Sequence, residues 1–227
     1  MRRGQFFLHF ISRMLQGLMV LYVVIGFYKG DYFWTVVGVF FLLLALIPMA
    51  AEKKFHITLP VEINFLATFI LYLHLGGGVR GWYELFPWYD KVTHFLSSAA
   101  VAAIGFMIVV IIDQYVKDIK INRQFITFFV IIFTMTVGAF WEIGEFTADQ
   151  IFGSHWQAGL TDTMYDLICD LIGGIIVGAV ANFYLKYVPR EHFIKEWGVN
   201  PQTRKTIQIP AKKAPKLVPG YTKPHKL

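Results

Sequence analysis

The chain has 227 residues, 56% of them hydrophobic and 16% charged, with a mean hydropathy of +0.53 and a net charge of +6. This balance excludes an ordinary soluble domain and a disordered chain, and it leaves room for one helical membrane bundle and little else. Ten of the 21 basic residues fall between Lys186 and Lys226, so the positive charge belongs to a tail beside the membrane and not to a nucleic-acid face.

The N-terminus, Met1-Arg2-Arg3 before an apolar stretch, has the outline of a signal peptide. Arg13 interrupts the apolar region and no small-x-small site follows Gly26, so an uncleaved first span is expected. About 20 apolar residues cross a bilayer. By that measure the sequence predicts an all-α, polytopic bundle of six spans: Leu8–Phe27, Phe33–Ala51, Ile57–Leu75, Lys91–Ile112, Gln124–Phe146 and Thr163–Leu185. Ser12, Arg13 and Gln16 make the first the least apolar. Pro48 and Pro60 fall near span ends, where a lost backbone bond is tolerated. Gly76-Gly77-Gly78 is expected to turn the chain sharply, ahead of an interfacial segment over Trp82–Tyr89.

Residues 1–187 therefore form the transmembrane domain, and 188–227 a basic, proline-containing tail. The tail is expected to carry a short helix near Glu191–Trp197 and then to lie extended on anionic lipid. Eighteen Lys and Arg fall on the side of both termini and three (Lys29, Arg80 and Lys91) on the other. The positive-inside rule then places both termini in the cytoplasm of a cell-membrane protein. Trp34, Trp82, Trp88, Trp141 and Trp156 fall at the opposite, outer interface. Small residues in the fourth span (Ser97 to Gly105) and the sixth (Gly173, Gly174, Gly178) predict close helix contacts. Cys169, the single cysteine, reads as a packing residue.

Seven acids gather at the outer ends of the last three spans. Asp90 and His94 are four apart and share a helix face, as do Glu142, Glu145 and Asp149 if their helix continues. Asp162, Asp166 and Asp170 form a stripe roughly 12 Å long. An ionised aspartate facing lipid at that depth costs at least about 2.5 kcal/mol, so these groups must face the bundle interior. Arg80 and Lys91 are too few to neutralise them. A divalent ion (Mg, Mn, Fe or Zn) is the economical counter-charge, with Asp90, His94, Glu142, Glu145, Asp149, Asp162, Asp166 and Asp170 as candidate ligands. The competing explanation is an interhelical hydrogen-bond cluster that clamps the bundle. Asp31 and Glu84 read as exposed. His9, His56, His74 and His155 lack a carboxylate four residues away on a predicted span, although His74 and His155 can approach the site from outside.

The segments Trp88-Tyr89-Asp90-Lys91-Val92-Thr93-His94-Phe95, Trp141-Glu142-Ile143-Gly144-Glu145 and Asp162-Thr163-Met164-Tyr165-Asp166, followed by Gly173-Gly174, resemble the YjdF-like family of multi-pass membrane proteins. The resemblance covers most of residues 20–185. The chain is more distantly similar to VanZ-like proteins, which have an Asp-Lys-x-x-His-Phe helix start, a glutamate and a glutamine closing the next helix, and an aspartate opening a glycine-containing last helix. Asp90, Lys91, His94, Phe95, Glu142 or Glu145, Gln157, Asp162 and Asp166 take those places here. The VanZ-like resemblance implies a cell-envelope role; the antibiotic phenotype of its namesake is not carried over.

Three functions follow as expectations. The first is a metal-dependent hydrolase or transferase acting on a lipid headgroup or lipid-linked phosphate. In it His94, Glu145 and Asp166 are catalytic, and Arg80, Lys91 and Gln157 bind substrate. The second is a non-catalytic binding or assembly protein with a structural polar cluster. The third, a cation or proton transporter, is disfavoured by the apolar inner halves of the last three spans, where Thr127 and Asn182 are the polar exceptions. Membrane lipid is the expected partner and nucleic acid is not; the sequence leaves oligomeric state open.

Overall fold

The computed structural model describes residues 3–55, 61–115 and 120–190. His56, Pro60, the Glu191–Trp197 helix and the rest of the basic tail lie outside the described residues. The described chain is all-α: α1 (Arg3–Lys29), α2 (Tyr32–Phe55), α3 (Val61–Val79), a single turn α4 (Trp82–Leu85), α5 (Tyr89–Tyr115), α6 (Arg123–Phe152) and α7 (Leu160–Tyr187). Six of these, all but α4, are long and apolar enough to cross a membrane. A helix satisfies its own backbone groups, which hydrocarbon cannot do.

The bundle is apolar outside and buries charged groups within. Phe40, Phe128, Phe140 and Phe183 are exposed, whereas Glu142, Asp166 and Asp170 are buried. In water such a surface would drive association; in lipid it is the solvated face. The helices pack as two groups of three. Helices α1, α2 and α3 contact one another, α5, α6 and α7 do likewise, and α3 meets α5 across the seam.

Polar residues in the opening turns of α1 are absorbed by packing. Ser12 donates to the Leu8 carbonyl, Arg13 to Gln16 Oε1, and Gln16 reaches Thr68 of α3 at 3.4 Å. The predicted turn at Gly76-Gly77-Gly78 is corrected: these glycines lie inside α3. Their missing side chains admit aromatic rings, since a Cβ on Gly77 would strike Tyr89 and one on Gly78 would strike Trp34. The reversal comes later, at Gly81, whose φ of 69° suits glycine.

Glycines also set the α7 interfaces. A Cβ on Gly173 would come within 2.9 Å of Ser98 Cβ on α5, and one on Gly178 within 3.3 Å of Thr127 Cγ2 on α6. Thus α7 lies against both neighbours, as its small residues predict. Asn122 caps α6 by accepting from Phe125 N at 2.6 Å, and Gly153 closes that helix.

Candidate functional site

Helices α5, α6 and α7 bring Asp90, Lys91, His94 and Ser98, then Glu142, then Asp162, Asp166 and Asp170 to one end of the bundle, beside Trp34, Trp141 and Trp156. Helical spacing puts each set on an inward face. Two arrangements share this cluster.

The first is an ammonium cage. Lys91 Nζ lies 2.9 Å from Asp90 Oδ2, 2.5 Å from Asp162 Oδ1 and 2.7 Å from Asp166 Oδ1. One cation therefore faces three carboxylates and cross-links α5 to α7. Lysine is suited to this because its head offers three donors on a flexible stem.

The second is centred on His94, which is 4% exposed. Its Nδ1 lies 3.4 Å from Asp170 Oδ1, and Ser98 Oγ donates a short hydrogen bond to that same oxygen. The other ring nitrogen, Nε2, faces Asp90 Oδ1 at 3.7 Å, Glu142 Oε1 at 3.8 Å and Asp166 Oδ1 at 3.9 Å. These separations are too long for hydrogen bonds. His94 Nε2, both Glu142 carboxylate oxygens and Asp170 Oδ2 are buried without a hydrogen-bond partner. Native interiors seldom leave such atoms unpaired.

A histidine with one nitrogen held by a carboxylate, and the other aimed at a ring of oxygens, has the arrangement of a metal-ligand histidine and its supporting acid. Bonds of about 2.0–2.2 Å to a shared ion separate neighbouring ligand atoms by roughly 3 Å. The observed spacings are somewhat wider and close to that scale. Asp90, His94 and Asp166 offer ligand atoms that all lie within 4.8 Å of one another, a group that could hold a metal ion. The side chain of Gly138 is absent where one would collide with the Asp170 carboxylate, so α6 can approach this acid.

Beside the cluster is a cavity of about 430 Å³, lined by Asp90, Glu145 and Asp162 and by aromatic rings of α2, α4 and α6. Phe41 stacks on Trp141 with centroids 5.7 Å apart, and the His74 ring lies tilted against Trp141 at 5.2 Å. His74 is held at both nitrogens, by Tyr83 Oη at 2.7 Å and Ser97 Oγ at 2.9 Å. Burial pushes the Tyr83 phenol well above its ordinary range, so it stays a hydroxyl. Glu145 accepts from Trp141 Nε1 at 2.8 Å.

Other candidate residues stand apart. Asp149 faces the α6–α7 loop, where it accepts from Ser154 Oγ and from the backbone N–H groups of Trp156 and Gln157. The Gln157 side chain bonds Thr163 at 3.0 Å. Arg80 lies over the rings of Trp82 and Tyr22, at 4.9 and 5.6 Å. Sequence reasoning treated Ser98 only as a small residue, although it is four residues from His94 on the same face. Gly138 carried no sequence signal, because its value depends on where α7 lies.

Fold and site together define a multi-pass helical membrane protein with a buried histidine–carboxylate cluster at one end. The chain belongs to the family described as "Predicted membrane protein (DUF2238)", which matches residues 10–187. It is also similar to a Thermotoga maritima protein described as uncharacterised, with 28% identity over 165 residues that cover 72% of this chain and 84% of that one. No solved structure matches.

Proposed function

We propose that the His94 cluster is a divalent-metal site serving a hydrolase or transferase that acts on a lipid headgroup or lipid-linked phosphate. The observation that carries this reading is the set of unpartnered buried atoms around His94 Nε2. A neutral imidazole donating from Nδ1 toward Asp170 would aim a lone pair at three carboxylates. A proton on Nε2 would find no acceptor nearer than 3.7 Å. A cation between them would satisfy His94 Nε2 and the Glu142 carboxylate that faces it. Asp90, His94, Glu142 and Asp166 are the ligands we assign, with Asp170 and Ser98 orienting the ring. The nitrogen ligand favours Mn, Fe or Zn over Mg.

Held there, such an ion would supply Lewis acidity toward a phosphoryl oxygen or a water. Glu145, on the cavity wall, is placed to take the proton of the attacking hydroxyl. Lys91 holds Asp162 and Asp166 in position, and Asp149 and Gln157 hold the loop. By the positive-inside bias the site opens toward the outer leaflet of the cell membrane, both termini are cytoplasmic and the basic tail meets anionic lipid. The YjdF-like and VanZ-like resemblances are consistent with an envelope role and name no reaction.

A second reading is favoured by the Lys91 cage: the cluster is a structural clamp without metal. Elemental analysis of purified protein separates the two. We expect about one metal ion per chain, lost in both His94→Ala and Asp166→Ala while the bundle stays folded. Metal-free wild type that rebinds none at micromolar concentration rejects the metal site and leaves the clamp.

A further inference from the structure

From the walls of the cavity beside the cluster, we propose that it binds a small alkylammonium group, methylated forms preferred. This names the substrate class of the proposed site and rests on that reading for its link to catalysis; the binding shares Asp90 and Glu145 with that site and adds Glu84 and the aromatic wall. Four acids line the cavity, Glu84, Asp90, Glu145 and Asp162, and no lysine or arginine among the described residues does so. Lys91 is turned to its three carboxylates and Arg80 lies over Tyr22 and Trp82. Because Lys91 is paired with Asp90 and Asp162, Glu84 and Glu145 are the acids left to attract a cation, and the wall offers a phosphate no lysine or arginine among the described residues.

The remaining wall is aromatic. Trp34, Phe41, Tyr83, Trp141 and Trp156 line the same space. Trp34 and Trp156 sit with centroids 5.7 Å apart, and Phe41 stacks on Trp141 at an interplanar angle of 26°. Aromatic rings attract cations through their electron-rich faces, and cages of such rings select methylated ammonium because it sheds water easily. Acids alone would suit a metal or a hydrated ion equally; aromatic walls distinguish the organic cation. A volume of about 430 Å³ falls within the range of small-ligand sites, about 300–1,000 Å³. The Glu145 carboxyl accepts from the Trp141 indole at 2.8 Å, which holds it beside a ring of the cage.

Such an ammonium group comes either from a zwitterionic lipid headgroup or from a free soluble cation. The test is equilibrium dialysis of labelled choline against the full-length protein in maltoside micelles, with EDTA present. We expect saturable binding that 3,3-dimethylbutan-1-ol, the uncharged isostere, does not compete. Trp156→Leu and Glu145→Gln are each expected to weaken binding at least tenfold. Equal competition by the uncharged isostere, or no saturable choline binding to folded wild type, overturns the proposal without recourse to any variant. Displacement by phosphatidylcholine nanodiscs but not phosphatidylglycerol nanodiscs assigns the headgroup as source; retention of choline against both assigns the free cation. Because EDTA removes metal, choline binding that persists in EDTA and in His94→Ala stands even if the metal site fails. A metal-loaded protein that ignores choline refutes the ammonium assignment alone.

Discussion

The two ends of the α5–α6–α7 group use the same three helices for opposite chemistry. One end buries His94, Glu142, Asp166 and Asp170; the other buries Phe106, Val109, Val110, Ile126, Val130 and Leu185. In lipid, apolar side chains gain little by leaving their surroundings, so close packing does the work of association. The apolar end is packed chiefly by side chains, with one close approach at Gly178, and the charged end by close approaches at Gly138 and Gly173. The contrast indicates that side-chain packing joins the helices at the apolar end, whereas the Lys91 cage joins α5 to α7 at the charged end, beside polar atoms left unpaired.

The sharpest way to break this contrast is to remove the cation that serves three acids. Lys91→Met leaves Asp162 and Asp166 without their partner, and we expect a loss of about 3 kcal/mol in mixed-micelle unfolding. Adding Asp166→Asn should recover part of that loss, a non-additivity read from the double-mutant cycle. Next, Gly138→Ala drives a methyl group into the Asp170 carboxylate, for an expected loss of about 2 kcal/mol together with reduced metal content. Val110→Ala at the apolar end should cost about 1.5 kcal/mol by cavity formation and leave metal content unchanged. Coupled loss of metal there would show that the ends are not independent. The smallest effect belongs to Gly144→Ala on α6, where the added methyl meets open space; stability should stay level or rise by about 0.5 kcal/mol.

Much of the fold was legible because membrane helices announce themselves by apolar length. All six spans were present, and the ends differ mainly because interfacial turns continue a helix beyond its apolar core. The helix faces of Asp90 with His94, and of Asp162 with Asp166 and Asp170, followed from the 3.6-residue period. What the period cannot give is rotation of one helix against another. It could not show that Lys91 reaches Asp162 and Asp166 across to α7, or that Arg80 turns to Tyr22 and Trp82. Asp149 shares the spacing of Glu142 and Glu145, yet the loop beyond α6 supplies donors that draw its carboxylate away. Glycine triplets are equally ambiguous, as turns or as seats for rings, and Trp34 decides the matter at Gly78.

The imidazole of His74 joins Tyr83 of the short interfacial turn to Ser97 of α5. A neutral ring has one donor and one acceptor, so the two hydroxyls must play opposite parts. Anything that draws α4 away from α3 breaks the Tyr83 link and frees that nitrogen. The ring can then exchange tautomers, and the proton pattern next to His94 changes with it. A displacement of α4 would thereby be felt through the hydrogen bonds of one imidazole, whose ring lies 6.3 Å from that of His94.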